Sequence, residues 1–199
     1  MAIITPRIKY QKLFAKGDRI INIGCGENPC DFGLNTVHVD LDVYNHPNFV
    51  QADAHDLPFP DNSFDVAVLG DVLEHSPNPA LMLSEAGRVS KRVVATVYEE
   101  TRISEDMGEN ISKFHSDVKA MGFSNHLAYL KSLPDFKDKI VSVTDDSKIS
   151  HHPHIQAFTD ETLRETIREA GLKVIIFHKY LEGGLEDAPI YNWLLVLQT

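Results

Sequence analysis

Basic side chains are scarce in this 199-residue chain: 19 lysines and arginines face 29 aspartates and glutamates, a formal net charge of −10 at pH 7. A surface of that sign repels phosphate backbones, and the densest basic stretch, Arg88 to Arg92, holds only two arginines and one lysine. General nucleic-acid binding is therefore disfavoured. Cysteine is nearly absent. Cys25 and Cys30 cannot build a disulfide framework, and one C-x4-C pair without a second ligand pair is weak ground for zinc. Long apolar runs are missing too: nothing approaches the roughly 18 residues that cross a bilayer. The opening MAIITPRIKYQKLF has neither the apolar core nor the small-residue cleavage site of a secretory leader. The expectation is a cytoplasmic protein without a membrane partner. Its 43% apolar and 24% charged residues are ordinary for one globular domain spanning residues 1–199.

What is present is a succession of short strands. Arg19 to Gly24 is a β-branched run stopped by glycine, and Thr36–Asp40, Asn48–Ala52, Phe64–Leu69 and Arg92–Tyr98 have the same character. Between the last two, Ala80–Val89 repeats apolar residues at helical spacing, with Leu81, Glu85 and Val89 four apart. Thr159 to Leu163 has the form of a helix start, and Gly171 the form of its stop. Strands at Lys173–Phe177 and Trp193–Leu197, joined by a loop at Gly183 and Gly184, complete the pattern. Strands separated by helical or long connections predict a Rossmann-like α/β fold, doubly wound and mostly parallel, with the last pair as an antiparallel edge. The connections after the first and second strands, about ten and six residues, are shorter than the dozen a covering helix needs. Conversely, residues 99–157 are too long for plain loop, and helical patterns near Asn110–Met121 and His126–Leu133 suggest a helical lid inserted in the domain.

Gly24-Cys25-Gly26 ends the first strand, where glycine lets backbone approach a ligand closely. A dinucleotide fingerprint would place a third glycine at position 29, which is Pro29. Asp40 ends the second strand, at the edge where open α/β sheets bind ligands, and a carboxylate there can accept both hydroxyls of a ribose.

The run Ile20 to Gly26, Val39-Asp40, the segment Gln51–Asp65 (QADAHDLPFPDNSFD) and Val72 to His75 together resemble the class I S-adenosylmethionine-dependent methyltransferases. The likeness covers residues 19–97 and returns between Phe158 and Gly171. It implies a seven-stranded sheet carrying S-adenosylmethionine across its C-terminal edge, with S-adenosylhomocysteine as product. The methionine end would lie near Gly24 and Gly26, the ribose on Asp40, and the adenine beside Asp53 and Ala54. Cys25, Leu41 and Gly70 complete the candidate cofactor contacts. Asn22 stands where the family usually has an acidic residue, and Asn28 replaces a frequent third glycine. The short early connections resemble those of compact members. The cationic sulfonium of this cofactor suits an acidic pocket.

Methyl transfer needs alignment and, for a hydroxyl acceptor, removal of a proton. Candidate groups are Asp71 and His75, just past the fourth strand, and His154 in the cluster His151-His152-Pro153-His154. On one helical turn, Asp71, Glu74 and His75 would face together, similar to a divalent-metal site of some catechol-type and RNA ribose 2'-O-methyltransferases. The reading favoured is the plainer one, without metal, in which His75 borders the cofactor. The place after the fourth strand, Leu69 to Val72, lacks the N/D-P-P-Y/F signature of DNA amino-group methyltransferases. A small-molecule acceptor with an oxygen or nitrogen nucleophile is therefore expected, and a homodimer is compatible with the missing cover. The alternative is a non-catalytic module that binds the same cofactor, or serves only in interactions.

Overall fold

The computed structural model describes residues 5–98, 156, 158–185 and 188–199. The apolar runs form β1 (Ile20–Ile23), β2 (Thr36–Asp40), β3 (Phe49–Gln51), β4 (Val66–Gly70) and β5 (Arg92–Tyr98). They are followed near the C-terminus by β6 (Lys173–Leu185) and β7 (Ala188–Gln198). The seven strands make one sheet in the order β3-β2-β1-β4-β5-β7-β6. It is parallel from β3 to β5, while β7 runs antiparallel to both β5 and β6. The order reverses between β1 and β4, which creates the crevice at the strands' C-terminal ends where such sheets bind ligands.

Alternation along the central strands sends residues to two cores. Ile21, Ile23, Ala67, Leu69, Val93 and Ala95 pack on one face, against α2 (Pro79–Val89) and α3 (Asp160–Glu169). Ile20, Val66, Val68 and Val94 pack on the other, beneath Tyr10 and Phe14 of α1 (Pro6–Phe14). Asn78 caps α2 by accepting from Leu81 N, with Pro79 in the first turn. Thr159 and Thr162 form a reciprocal capping box on α3, and Gly171, at φ +73°, follows its end. Helix α1 was not anticipated, although Thr5 before Pro6 is its start signal: Thr5 is the N-cap and the proline occupies the first turn.

Two expectations change. Gly183 and Gly184 lie inside β6, beside a register shift between Leu181 and Gly183, so the strands run well beyond the predicted boundary. A bulge absorbs the glycines without ending the pairing. The short connections, residues 24–35 and 41–48, indeed carry no helix. On the α1 face their place beside β2 is taken by a ring cluster in which Tyr44 stacks on His46 at 5.7 Å and His46 lies 5.7 Å from His38. The predicted lid, 99–157, falls outside the described residues except for Gln156. Among the described residues no helix is long and apolar enough to cross a membrane.

Candidate active site

At the end of β1 the chain turns through Gly24 and Gly26, at φ +68° and +61°, while the N–H groups of Gly24 and Cys25 both donate to Val39 O. Gly24 has a second requirement. A Cβ there would come within 2.9 Å of Val72 Cβ, so the turn and the segment after β4 touch only because position 24 has no side chain. Gly24→Ala is expected to cost about 2 kcal/mol, from the left-handed backbone and the forced shift of Val72; urea denaturation measures it, and an unchanged midpoint would show that the contact is soft.

Gly26 N donates to Asp40 Oδ2 at 2.9 Å, and Asp42 N to Oδ1 at 3.2 Å, so the carboxylate at the end of β2 holds the glycine turn. A carboxylate accepts about four hydrogen bonds; bracing the turn is compatible with receiving hydroxyls. Cys25 lies beneath, its thiol pushed up to about 12 by burial and by the Asp40 charge, which keeps it a protonated, unreactive neighbour. Leu41 is half-buried, and its carbonyl accepts from Gln51 Nε2 at 2.7 Å. The carbonyl of Asp40 accepts from Ala52 N, which brings Asp53 and Ala54 to the same edge.

The loop that follows is stapled to α2. Arg88 makes a two-pronged pair with Glu85, and its remaining donors reach Leu57 O, Phe59 O and Asp61. Within the loop, Asp53 Oδ1 accepts from both the N–H and the Nδ1 of His55, at 2.9 and 2.7 Å. His55 Nε2 lies 2.7 Å from Ser76 Oγ, just past the turn of 3-10 helix at Leu73–His75. At this sheet edge the glycine turn thus meets Asp40 and Val72, while Asp53 is joined through His55 to Ser76.

Beside these residues the structure separates Asp71, Glu74 and His75, the three of the alternative metal reading. Asp71 stands outside the short turn, at φ +52°, and its carboxylate faces α1: Arg7 Nη1 donates at 2.6 Å, Thr96 Oγ1 at 2.8 Å and Asn192 Nδ2 at 3.2 Å. Glu74 is 1% exposed and accepts from Tyr98 N at 3.2 Å, while its Oε2 has no hydrogen-bond partner among the described residues. Burial first, and then the Asp71 charge, push its carboxyl well above the usual range. His75 is half-buried on the same turn. The single helical turn that would align Asp71, Glu74 and His75 therefore does not form, and among the described residues no group of three His, Cys, Asp or Glu is arranged to hold a metal. Gly70, at the end of β4, lies under Gln11, whose Nε2 would be 2.6 Å from a Cβ there. Gln11 also donates to Thr96 Oγ1. His154 lies outside the described residues.

Sequence reading missed Arg7, Thr96, Asn192 and His55. The first three are remote in the chain: pairing of β5 with β7 joins Thr96 and Asn192, and the packing of α1 on the sheet brings Arg7 to them. His55 had a signal: it lies two residues from Asp53, the spacing of a local side-chain turn.

Residues 21–94 match a family model described as a methyltransferase domain. The chain is 33% identical over 152 residues to the ubiquinone/menaquinone biosynthesis C-methyltransferase UbiE of Rickettsia bellii, which covers 74% of this chain and 54% of that protein. It is 28% identical over 158 residues to the demethylmenaquinone methyltransferase of Paenarthrobacter aurescens, covering 78% and 56%. The chain thus spans about half the length of these curated relatives. Among solved structures, a SAM-dependent methyltransferase from Methanosarcina mazei superposes with a TM-score of 0.53 at 15% identity, over 94% of each chain. The 1,6-didemethyltoxoflavin-N1-methyltransferase of Burkholderia thailandensis, solved with S-adenosylhomocysteine, reaches 0.58 at 13% identity over 98% of this chain and 76% of that one. At such identities the likeness is one of fold.

Proposed function

Because this chain belongs to the class I S-adenosylmethionine-dependent methyltransferase family, we propose that it binds S-adenosylmethionine along the Gly24–Asp40–Asp53 arc and methylates a small-molecule acceptor. When bound, the cofactor supplies an electrophilic methyl group for in-line displacement, leaving S-adenosylhomocysteine. The observation that carries the reading is the junction of the Gly24–Gly26 turn with Asp40 at the strand switch point, two residues of which need glycine's backbone freedom. In this reading Asp40 takes the ribose hydroxyls, Asp53 and Ala54 flank the adenine, and Cys25, Leu41 and Gly70 line the remainder.

Asp71 acts as an anchor and not as a base, since its oxygens already take three side-chain donors. His75 and His154 are the groups retained for taking a proton from an oxygen or nitrogen acceptor. A second reading, carbon methylation of a quinone-type ring, is favoured by the names of the curated relatives.

Titration calorimetry with S-adenosylhomocysteine tests the cofactor site. Asp40→Ala is expected to weaken binding by roughly 1.5 to 3 kcal/mol, the worth of hydrogen bonds to a charged group; unchanged affinity would remove Asp40 from the site. Assay of hydroxyl, amine and demethylmenaquinone-type acceptors then separates the two readings. Binding without turnover on any of them would instead support the non-catalytic module.

A further inference from the structure

The chain Asp53–His55–Ser76 has the donor order of a hydrolytic triad, yet Ser76 is 1% exposed and its Oγ also accepts Asn78 N at 3.1 Å, so it is no nucleophile. Its geometry serves another purpose. As a carboxylate Asp53 only accepts, so His55 Nδ1 carries hydrogen; in the neutral ring Nε2 then accepts from Ser76 Oγ–H. Every polar atom of the imidazole is spent, at 2.7 Å on either side, in a ring that is 4% exposed. The far end of this chain is itself tied down: Ser76 O accepts from Gln156 Nε2 at 3.2 Å, and Gln156 N donates to Glu74 O at 3.0 Å.

We propose that His55 is a positioning residue of the cofactor site, a buried imidazole that fixes the plane of the Asp53 carboxylate toward the exocyclic amine of adenine and locks that loop to the turn after β4. The inference rests on the cofactor reading above and extends it to the choice of base. The Asx-type turn, through His55 N, holds Oδ1 by one backbone hydrogen bond. The second, shorter bond from Nδ1 to the same oxygen tightens that hold, and Ser76 keeps the ring in the tautomer that donates to Asp53. A pre-oriented carboxylate accepts from the 6-amino group of adenine. It repels a 6-oxo base, which presents an acceptor in the same place.

The experiment compares S-adenosylhomocysteine with its 6-oxo analogue, S-inosylhomocysteine, by calorimetry on wild type, His55→Gln and Ser76→Ala. Wild type is expected to prefer the amine. His55→Gln is expected to lose roughly tenfold in affinity for the adenine ligand while keeping its affinity for the inosine ligand, so that the preference collapses. Ser76→Ala, which removes the outer bond together with the acceptor of Asn78 N and spares the histidine, is expected to move the preference the same way by a smaller factor, and it carries the test alone if His55→Gln does not fold. A preference that stays at the wild-type value in the folded variants, whether both affinities fall together or neither changes, overturns the assignment of His55 while leaving the cofactor reading intact. Wild-type protein that binds neither ligand overturns both.

Discussion

Replacing Asp71 with alanine is expected to destabilise the fold by about 3 to 5 kcal/mol, more than any other single change at this sheet edge. The carboxylate joins α1, the end of β4, β5 and β7 at one point. Its loss takes this acceptor from the hydroxyl of Thr96 and from Nδ2 of Asn192, both fully buried residues, and leaves Arg7 Nη1 without the partner at 2.6 Å. Hydrogen bonds to a charged group are worth roughly 1.5 to 3 kcal/mol each; the Arg7 contribution is discounted because that side chain is 36% exposed. The backbone adds to the cost, since alanine tolerates a φ of +52° less well than aspartate does. Asp71→Asn keeps one acceptor and the backbone preference, so its loss is expected to be about half as large. Urea denaturation of the two variants measures the difference. Equal midpoints for wild type and Asp71→Ala would mean that α1 is held by packing alone.

Glu74 is expected to make stability fall as pH rises. Its carboxyl is raised above the unfolded value by burial and by Asp71, so between the two values the folded state holds the proton that the unfolded state has released. Stability linked to this group is therefore fully present below the ordinary glutamate range. It declines by about 1.4 kcal/mol per pH unit until the folded carboxyl itself ionises. Glu74→Gln keeps an acceptor for Tyr98 N and removes the titration. Its denaturation midpoint should then gain on wild type steadily from acid to alkaline pH and exceed it at neutrality. Parallel curves for the two proteins between pH 5 and 9 would show that Glu74 is ionised throughout. Asp71 couples to this behaviour, because removing its charge removes one of the two causes of the shift. The decline should therefore end at a lower pH in Asp71→Asn, a comparison that separates burial from charge.

The glycine turn and the carboxylate beside it were legible in the chain because their signals are local. Gly24, Gly26 and Asp40 stand at strand ends marked by short apolar runs, and parallel pairing of β1 with β2 brings the last two within one hydrogen bond. Helices α2 and α3 were legible for the same reason: proline, Asn78 and Thr159 write their starts into adjacent positions. The arrangement after β4 was not. Asp71, Glu74 and His75 suggest one face only if the backbone there is helical, whereas Asp71 takes a positive φ and the turn begins after it. What drew its carboxylate away is Arg7, 64 residues earlier, and Asn192, 121 residues later.

The order of apolar runs and turn residues by itself determined the parallel sheet, its antiparallel edge, the missing early helices and the glycine–carboxylate junction, since each depends on the conformation of a few consecutive residues. The tertiary structure alone decided which carboxylate is an anchor and which is buried with its carboxyl raised above the usual range. It also decided that His55 spans two loops, and that Gly183 and Gly184 extend a strand where a turn was expected. Those outcomes depend on burial and on partners supplied by strand pairing and by α1, and a side chain's charge state and hydrogen bonds follow from what surrounds it in space, not from its neighbours along the chain.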